Sequence, residues 1–398
     1  MNPLRVLIAT SNRQVVGGVE VYLRSLIPSL MAKGHQVGLL YEFPEVSPGP
    51  VVDAPDADIE RWTAGSVEGT LRLVREWQPD VVYGHGLSSH GLEAAIARRF
   101  PMVLFAHGYY ASCATGTKRH SFPEISMCRR RFGTACLPMN YVRRCGGLNP
   151  VNLARSFWRE VTRHELLSEF RAVLVASRHM KSELARNGAV SERLHLVPLP
   201  STSVTPDAEP PAARRLSGRL LMLGRLTTLK RGDRLIEAVP AVEAALGRSL
   251  SLIIGGTGPE LERWRILAAR RGVAAEFVGW VEPERRLELL RESDVLVVPS
   301  LWPEPFGLVG IEAGCVGVPS VGYAVGGIPD WLVPGETGEL APGDPPTTAG
   351  LAEAIVRALG DPTHHARLRL GAWQMSKRFR MEDHLSALLP QLESACRT

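Results

Sequence analysis

Glu304 and Glu312 stand eight positions apart in the run Ser300-Leu301-Trp302-Pro303-Glu304-Pro305-Phe306-Gly307-Leu308-Val309-Gly310-Ile311-Glu312-Ala313. A Pro-Phe-Gly turn separates them, and the apolar run Asp294-Val295-Leu296-Val297-Val298 comes just before. Residues from Phe306 onward read as a helix start. Gly307, Leu308 and Val309 would then present backbone N–H groups with no carbonyl partner, a natural seat for an anion. Glu304 would lie just ahead of that helix and Glu312 about two turns inside it. The pattern suits a phosphate on the amides with hydroxyl-rich groups on either side. Glu312 is flanked by Ile311, Ala313 and Cys315, so a polar partner is needed for its carboxylate.

Cations precede this run. Gly224-Arg225-Leu226 closes an apolar stretch, and Lys230 follows Arg225 by five residues. An arginine fork and a lysine point charge at one strand end suit a diphosphate, although surface cations at strand ends are also common. Gly255-Gly256-Thr257-Gly258-Pro259 reads as a tight strand-to-helix turn, where glycine is used for steric reasons alone in many folds. Phe277-Val278-Gly279-Trp280-Val281 closes another strand. In the first half, Val15-Val16-Gly17-Gly18-Val19-Glu20 follows the opening strand and lets a ligand approach the backbone closely. Tyr83-Gly84-His85-Gly86 and Ala106-His107-Gly108 end two further strands.

The spacing and order of these stretches over 219–361 resemble the retaining glycosyltransferases of the GT-B fold, in their bacterial group 1 branch with the E-x7-E motif. The resemblance implies an α/β chain of two facing Rossmann-like domains with a cleft between them. It implies that Arg225 and Lys230 bind the diphosphate of a nucleotide-sugar donor, with Glu304 on the sugar hydroxyls and Glu312 on the ribose. Gly256, Val278, Phe306, Gly307, Leu308 and Val309 would complete the donor site, the Val278 loop holding the base through its backbone. Gly17 and Gly18 would face the donor phosphate, Glu20 would position the acceptor, and His107 would sit beside the transferred sugar. His85 is expected as a structural or acceptor-side residue. Two departures stand out: Lys230-Arg231-Gly232, where many relatives have Lys directly before Gly, and Gly314-Cys315, where Met-Ala is common.

No Asp-x-Asp closes a strand, so a metal-held diphosphate is not expected and no catalytic cofactor is implied. Neutralisation would fall to Arg225, Lys230 and helix-end amides. The resemblance implies retention, with attack on the leaving-group face and the leaving phosphate oxygen taking the acceptor's proton. No side-chain nucleophile is nominated.

These groups need a scaffold that places strand ends together, and the chain alternates strand and helix patterns twice. Strands read at Leu4–Thr10, Gln36–Tyr41, Asp80–Tyr83, Met102–Phe105, Ala172–Ala176 and Leu194–Val197, then at Arg219–Leu223, Ser251–Ile254, Ala275–Val278, Asp294–Val298 and Pro319–Val321. Helical patterns lie between them. The expected organisation is a first domain over 1–200, a Pro- and Ser-rich linker over 201–217, a donor domain over 218–372, and a helix over 373–398 that crosses back to the first domain. The 398 residues, 45% hydrophobic, suffice for such cores. No apolar run approaches the ~18 residues of a membrane span. The N-terminus does not read as a signal peptide, so a cytoplasmic protein is expected.

Net charge is +5, unevenly placed. Between Cys113 and Cys145, seven Lys and Arg face one acid, Glu124, giving +6 and leaving about −1 for the rest. The insertion over 108–150 reads either as a solvated segment or as a surface for phosphate-bearing acceptors or anionic lipid, with peripheral contact at the inner membrane face. Aromatic residues do not interleave with its arginines in the manner of RNA modules, so nucleic acid is not expected. Cys113, Cys128, Cys136 and Cys145 sit in this poorly cored segment, which needs a staple. A structural zinc site is the favoured expectation; disulfides and four unlinked thiols are the alternatives.

The function expected is transfer of a hexose-type sugar from a UDP- or GDP-sugar to a hydroxyl of a saccharide, lipid-linked or small-molecule acceptor, in bacterial envelope polysaccharide or glycolipid synthesis. Alternatives are a natural-product glycosyltransferase, an epimerase or phosphorylase on the same fold, or a non-catalytic GT-B scaffold binding a partner through the basic insertion.

Overall fold

A computed structural model describes residues 3–45, 49–53, 58–212 and 214–397. The chain divides into two compact units. The first comprises 1–123, 129–202 and 381–398; the second comprises 124–128 and 203–380.

The first unit is built on Arg5–Asn12 (β1), Gln36–Phe43 (β2), Glu60–Thr63 (β3), Val81–Gly84 (β4) and Met102–Phe105 (β5). Its helices are Gly18–Ala32 (α1), Val67–Trp77 (α2) and His90–Ala97 (α3). The insertion contributes the two-residue strand Arg119–His120 (β6) and the helix Cys136–Arg143 (α4); a second two-residue strand, Ser126–Met127 (β7), falls in the stretch grouped with the second unit. Pro150–Leu166 (α5), Ala172–Val175 (β8), Arg178–Arg186 (α6) and Leu194–Leu196 (β9) follow. The sheet order is β3-β2-β1-β4-β5-β8-β9, parallel throughout. Strands β4, β5 and β8 are buried along their whole length, as parallel strands covered on both faces must be.

The second unit repeats the plan with Arg219–Leu223 (β10), Gly232–Leu246 (α7), Ser251–Gly255 (β11), Leu261–Arg271 (α8), Ala275–Gly279 (β12) and Pro283–Glu292 (α9). It continues through Val295–Val298 (β13), Leu308–Cys315 (α10), Ser320–Tyr323 (β14), Gly338–Ala341 (β15), Thr348–Gly360 (α11) and Pro362–Ser376 (α12). Its order is β12-β11-β10-β13-β14-β15, again all parallel. In both sheets the order reverses beside the first strand, between β1 and β4 and between β10 and β13. Open α/β sheets receive ligands at that switch point, beyond the carboxyl ends of the strands.

Several elements and boundaries differ from the sequence reading. The final helix is not continuous from 373: α12 ends at Ser376, a short turn over Lys377–Phe379 follows, and only Met381–Cys396 (α13) belongs with the first unit. β3, α2 and β15, not anticipated, extend the sheets and their cover.

The stretch expected as a linker is fastened to the second unit from 203 onward. Buried Asp294 accepts from Arg214 Nη2 at 2.9 Å, Ser217 Oγ at 3.0 Å and Gly218 N at 2.7 Å. Trp373 Nε1 donates to Asp207 O at 2.8 Å, and Arg369 donates to Gly317 O and Ala212 O. Irregular backbone packed against a core has to find such side-chain partners. Periodicity does not reveal them.

The insertion also has a staple of its own. Lys118, 2% exposed, lies 2.5 Å from Glu183 Oε1 on α6 and donates to Ser112 O at 3.0 Å and Arg130 O at 2.5 Å. Ala111 N donates to Glu160 Oε2 on α5, and Tyr110 Oη to Glu93 Oε2 on α3. The expected zinc site does not assemble: among the described residues no group of three or more His, Cys, Asp or Glu side chains is arranged to hold a metal. Cys113 Sγ accepts from Lys118 N at 3.3 Å, while Cys145 Sγ lies 3.6 Å from Met139 O. Cys136 Sγ is 4.0 Å from Arg131 O, and Cys128 falls in the stretch grouped with the second unit. A buried ion pair does the fastening that a metal was expected to do.

Candidate functional site

In the second unit the switch point gathers the loops leaving β10 and β13. Lys230 Nζ and Glu304 Oε1 are 2.5 Å apart, and Ser300 Oγ donates to the same Oε1 at 2.7 Å. Glu304 is buried, while a quarter of the Lys230 side chain stays exposed, with its Nζ 5.9 Å over the Trp302 ring. Arg225, on the same loop as Lys230, is exposed and makes no ion pair among the described residues. One cation is therefore docked on a carboxylate and a second extends into solvent.

The backbone around Glu304 is fixed by close approach. Gly327 N donates to Glu304 O at 2.7 Å, and Gly326 has φ +58°. A Cβ on Gly326 would stand 2.3 Å from Glu304 O and 2.5 Å from Glu304 N, so no other residue fits. Gly307 caps α10 with φ +90°, a conformation that favours glycine. The helix starts at Leu308, two residues later than expected, so Glu312 lies little more than one turn inside. The amides of Leu308 and Val309 head the helix, where the first N–H groups have no partner within the helix itself. Trp331 supports this start from below: its Nε1 donates to Phe306 O at 2.7 Å, and its ring packs against Gly307 and Gly310. Phe306 itself turns inward onto Phe379, 5.6 Å between ring centres, so it offers backbone and not a ring to the site.

Glu312 is buried on α10 and paired with Arg286 of α9, its Oε2 3.3 Å from Nη1. Burial pushes its carboxyl above the ordinary carboxylate range; Arg286 and a hydrogen bond from Ser203 pull it partly back. Arg286, Ser203 and Ser300 were not anticipated. Ser300 opens the informative run itself, but Arg286 reads only as one more cation on an exposed helix.

The loops after β10, β11 and β12 are laced together. Gly224 N donates to Gly255 O, Gly256 N to Gly279 O and Leu226 N to Thr257 O. A Cβ on Gly256 would lie 1.9 Å from Gly224 O. Val278 sits half-buried in β12, and Trp280 beyond it is 70% exposed.

In the first unit, α1 begins at Gly18. A Cβ on Gly18 would meet nothing within 4 Å, so the space over that helix start is open. Glu20 is buried in the first turn and accepts from Asn12 Nδ2 at 3.3 Å. His107 follows β5 and is half-buried. Its Nε2 lies 2.9 Å from Nδ1 of His85, which follows β4 and is itself buried. His85 thus backs His107. Burial lowers both imidazoles, His107 to about 3, with His384 contributing to each. Beneath them Tyr22 Oη lies 3.0 Å from Tyr83 Oη and 2.8 Å from His384 Nε2. His384 Nδ1 is 2.8 Å from Pro198 O, a carbonyl that can only accept. That bond fixes the proton on Nδ1, so Nε2 accepts from Tyr22 and Tyr22 accepts from Tyr83. Tyr22 and His384 carried no signal in the sequence, because 362 residues separate them.

Comparison with known proteins follows the same division. Residues 16–200 match the family model described as Glycosyltransferase Family 4, and residues 213–374 match Glycosyl transferases group 1. A glycogen synthase from Mycobacterium tuberculosis is 29% identical over 399 aligned positions, covering 90% of this chain and 86% of the relative. A D-inositol 3-phosphate glycosyltransferase from Xylanimonas cellulosilytica is 26% identical, covering 94% and 90%. Among solved structures, sucrose-phosphate synthase from Thermosynechococcus elongatus superposes with a TM-score of 0.70 at 21% identity, over 98% of this chain and all of the other. HepE from Anabaena in complex with UDP superposes with a TM-score of 0.68 at 17% identity, over 98% and 100%.

Proposed function

This chain is a group 1 glycosyltransferase of the GT-B fold, and we propose that it moves a hexose-type sugar from a nucleoside-diphosphate donor to a hydroxyl acceptor with retention. The observation that carries the donor reading is the second unit's switch point. There Lys230, Glu304 and the amides heading α10 stand together, with Arg225 on the Lys230 loop. Cations and amides suit the diphosphate, and a buried, orientated carboxylate suits sugar hydroxyls.

In this reading Arg225, Lys230 and the α10 amides neutralise the leaving diphosphate, so no metal is required. The bond from the anomeric carbon to the phosphate oxygen breaks, and a bond to the acceptor oxygen forms on the same face. The acceptor's proton passes to the departing phosphate oxygen. Glu312 accepts from ribose hydroxyls, and the Val278 loop holds the base. His107, held neutral by burial with its pKa at about 3, orients the sugar by hydrogen bonding and does not act as a cationic acid. Glu20 helps to place the acceptor.

The acceptor we assign is a saccharide or lipid-linked saccharide of envelope polysaccharide or glycolipid synthesis, reached from the cytoplasm, where nucleotide sugars are available. The UDP held by the Anabaena neighbour supports a nucleotide-sugar donor. No helix among the described residues is long and apolar enough to cross a membrane.

The test is nucleotide release from UDP-, GDP-, ADP- and dTDP-sugars by the purified chain with EDTA present, followed by NMR of the product's anomeric centre. Release from one donor class with retained configuration is expected. No release from any donor, release only after divalent metal is restored, or inverted product would overturn the reading.

A further inference from the structure

The described chain exposes fifteen large apolar or aromatic side chains, and six of them fall between Phe122 and Trp158. Scattered singly such residues need no explanation, but a cluster marks an interaction surface. Tyr141 and Val142, 45% and 61% exposed, form the last turn of α4. Leu148 follows at 55%, and Val151 at 56% opens α5. Val151, Arg155 and Trp158 lie at helical spacing on one face of α5, and Trp158 is 65% exposed. The opposite face, Leu153, Phe157 and Glu160, is buried in the unit. The helix therefore carries two apolar stripes, one with its partner and one without.

Phe122 belongs to the same corner. Its amide donates to Arg143 O, and the Arg144 guanidinium lies 5.2 Å over its ring. Charge here has one sign: from 125 to 159 the sequence holds seven arginines and no acid. A polyanion would need the arginines but not the aliphatic anchors. A protein interface of this size would be expected to mix both signs of charge at its rim. Apolar anchors among arginines whose stems can lie along the surface, with Tyr and Trp among them, match a headgroup boundary.

We propose that the α4–α5 corner docks the first unit on an anionic lipid bilayer. Tyr141, Val142, Leu148, Val151 and Trp158 enter the headgroup region, and Arg144 and Arg155 meet lipid phosphates. The inference stands on surface composition and goes beyond the transfer chemistry.

The test is co-sedimentation of the purified full chain with vesicles of phosphatidylcholine alone and of an equal mixture with phosphatidylglycerol. No donor or acceptor is present, so the result is independent of the transferase reading. Binding to the mixed vesicles is expected, weakened roughly tenfold by Val142→Ser/Trp158→Ser and by Arg144→Glu/Arg155→Glu. All four positions face solvent, and unchanged melting curves show that the variants fold. High salt should weaken binding without abolishing it. Equal or no sedimentation on both vesicle types would overturn the proposal. So would binding that the serine pair leaves unchanged and salt removes completely, because that is the behaviour of a polyanion surface.

Discussion

Lys230 Nζ stands 2.5 Å from Glu304 Oε1, joining the loops that leave β10 and β13. The pair holds a cation where the diphosphate is proposed to bind and aims a carboxylate where the sugar is proposed to lie. Lys230→Ala removes both the phosphate contact and the neighbour that orients Glu304. We expect kcat/KM for the donor to fall at least a hundredfold, about 3 kcal/mol, in the range of losing one charge-stabilising group. Lys230→Arg keeps the charge but not the compact reach and should recover only part. Nucleotide release against donor concentration measures both, and activity of Lys230→Ala near wild type would remove the pair from the site.

Gly326 offers a test of geometry without touching a charge. A Cβ there would press on the Glu304 backbone at 2.3 Å and 2.5 Å. Gly326→Ala must displace that backbone or leave the φ of +58°. The expected cost is about 2 kcal/mol of stability. Donor KM should rise with it. A melt and a donor titration on one preparation separate the two effects.

Glu312 and Arg286 give a pH-dependent prediction. Burial raises the Glu312 carboxyl, and Arg286 opposes that rise. A carboxyl raised in the fold costs stability as pH climbs past its unfolded value, because the folded state then holds the proton more tightly. Arg286→Ala removes the compensation, so its pKa should rise further. The variant should lose roughly 1–3 kcal/mol at neutral pH, less than for a fully buried pair because Arg286 is partly exposed. Most of that loss should vanish near pH 4, where the carboxyl is protonated in both states. Urea melts at the two pH values check it, and an equal loss at both would show that Arg286 acts by packing alone.

Much of the proposed donor site was legible in the sequence because one short run contains it. Glu304, Gly307 and Glu312 lie in contiguous residues, and their turn chemistry is local. The seat that Gly326 provides for the Glu304 backbone was not legible there. That contact joins loops after different strands. The polar layer under His107 was hidden for the same reason, since α13 brings His384 to Tyr22 from the far end of the chain. The insertion misled through composition: four cysteines suggested a metal, while the fastening falls to one buried lysine, Lys118, among many exposed arginines. The final helix was drawn too long because a non-periodic break at 377–380 lies between two well-patterned stretches.

The buried histidines of the first unit should make it acid-sensitive. Burial holds His384 down to about 4, and His107 lower still, against an unfolded value near 6.5. As pH falls below about 6.5 the unfolded chain takes protons that the fold refuses, so stability declines until the folded pKa is passed. For His384 the window runs from about 6.5 to about 4 and is worth about 3 kcal/mol. The hydrogen bonds give the reason. Nδ1 already donates to Pro198 O, so an added proton must go to Nε2, the atom that accepts from Tyr22. His384→Gln cannot charge. It should lower stability at pH 7.5 through lost packing, yet flatten the dependence between pH 6.5 and 4 by close to one proton. Urea melts across that range give the slope directly. A variant as steep as the wild type would assign the acid sensitivity to other histidines that burial lowers, among them His35, His85, His107 and His365.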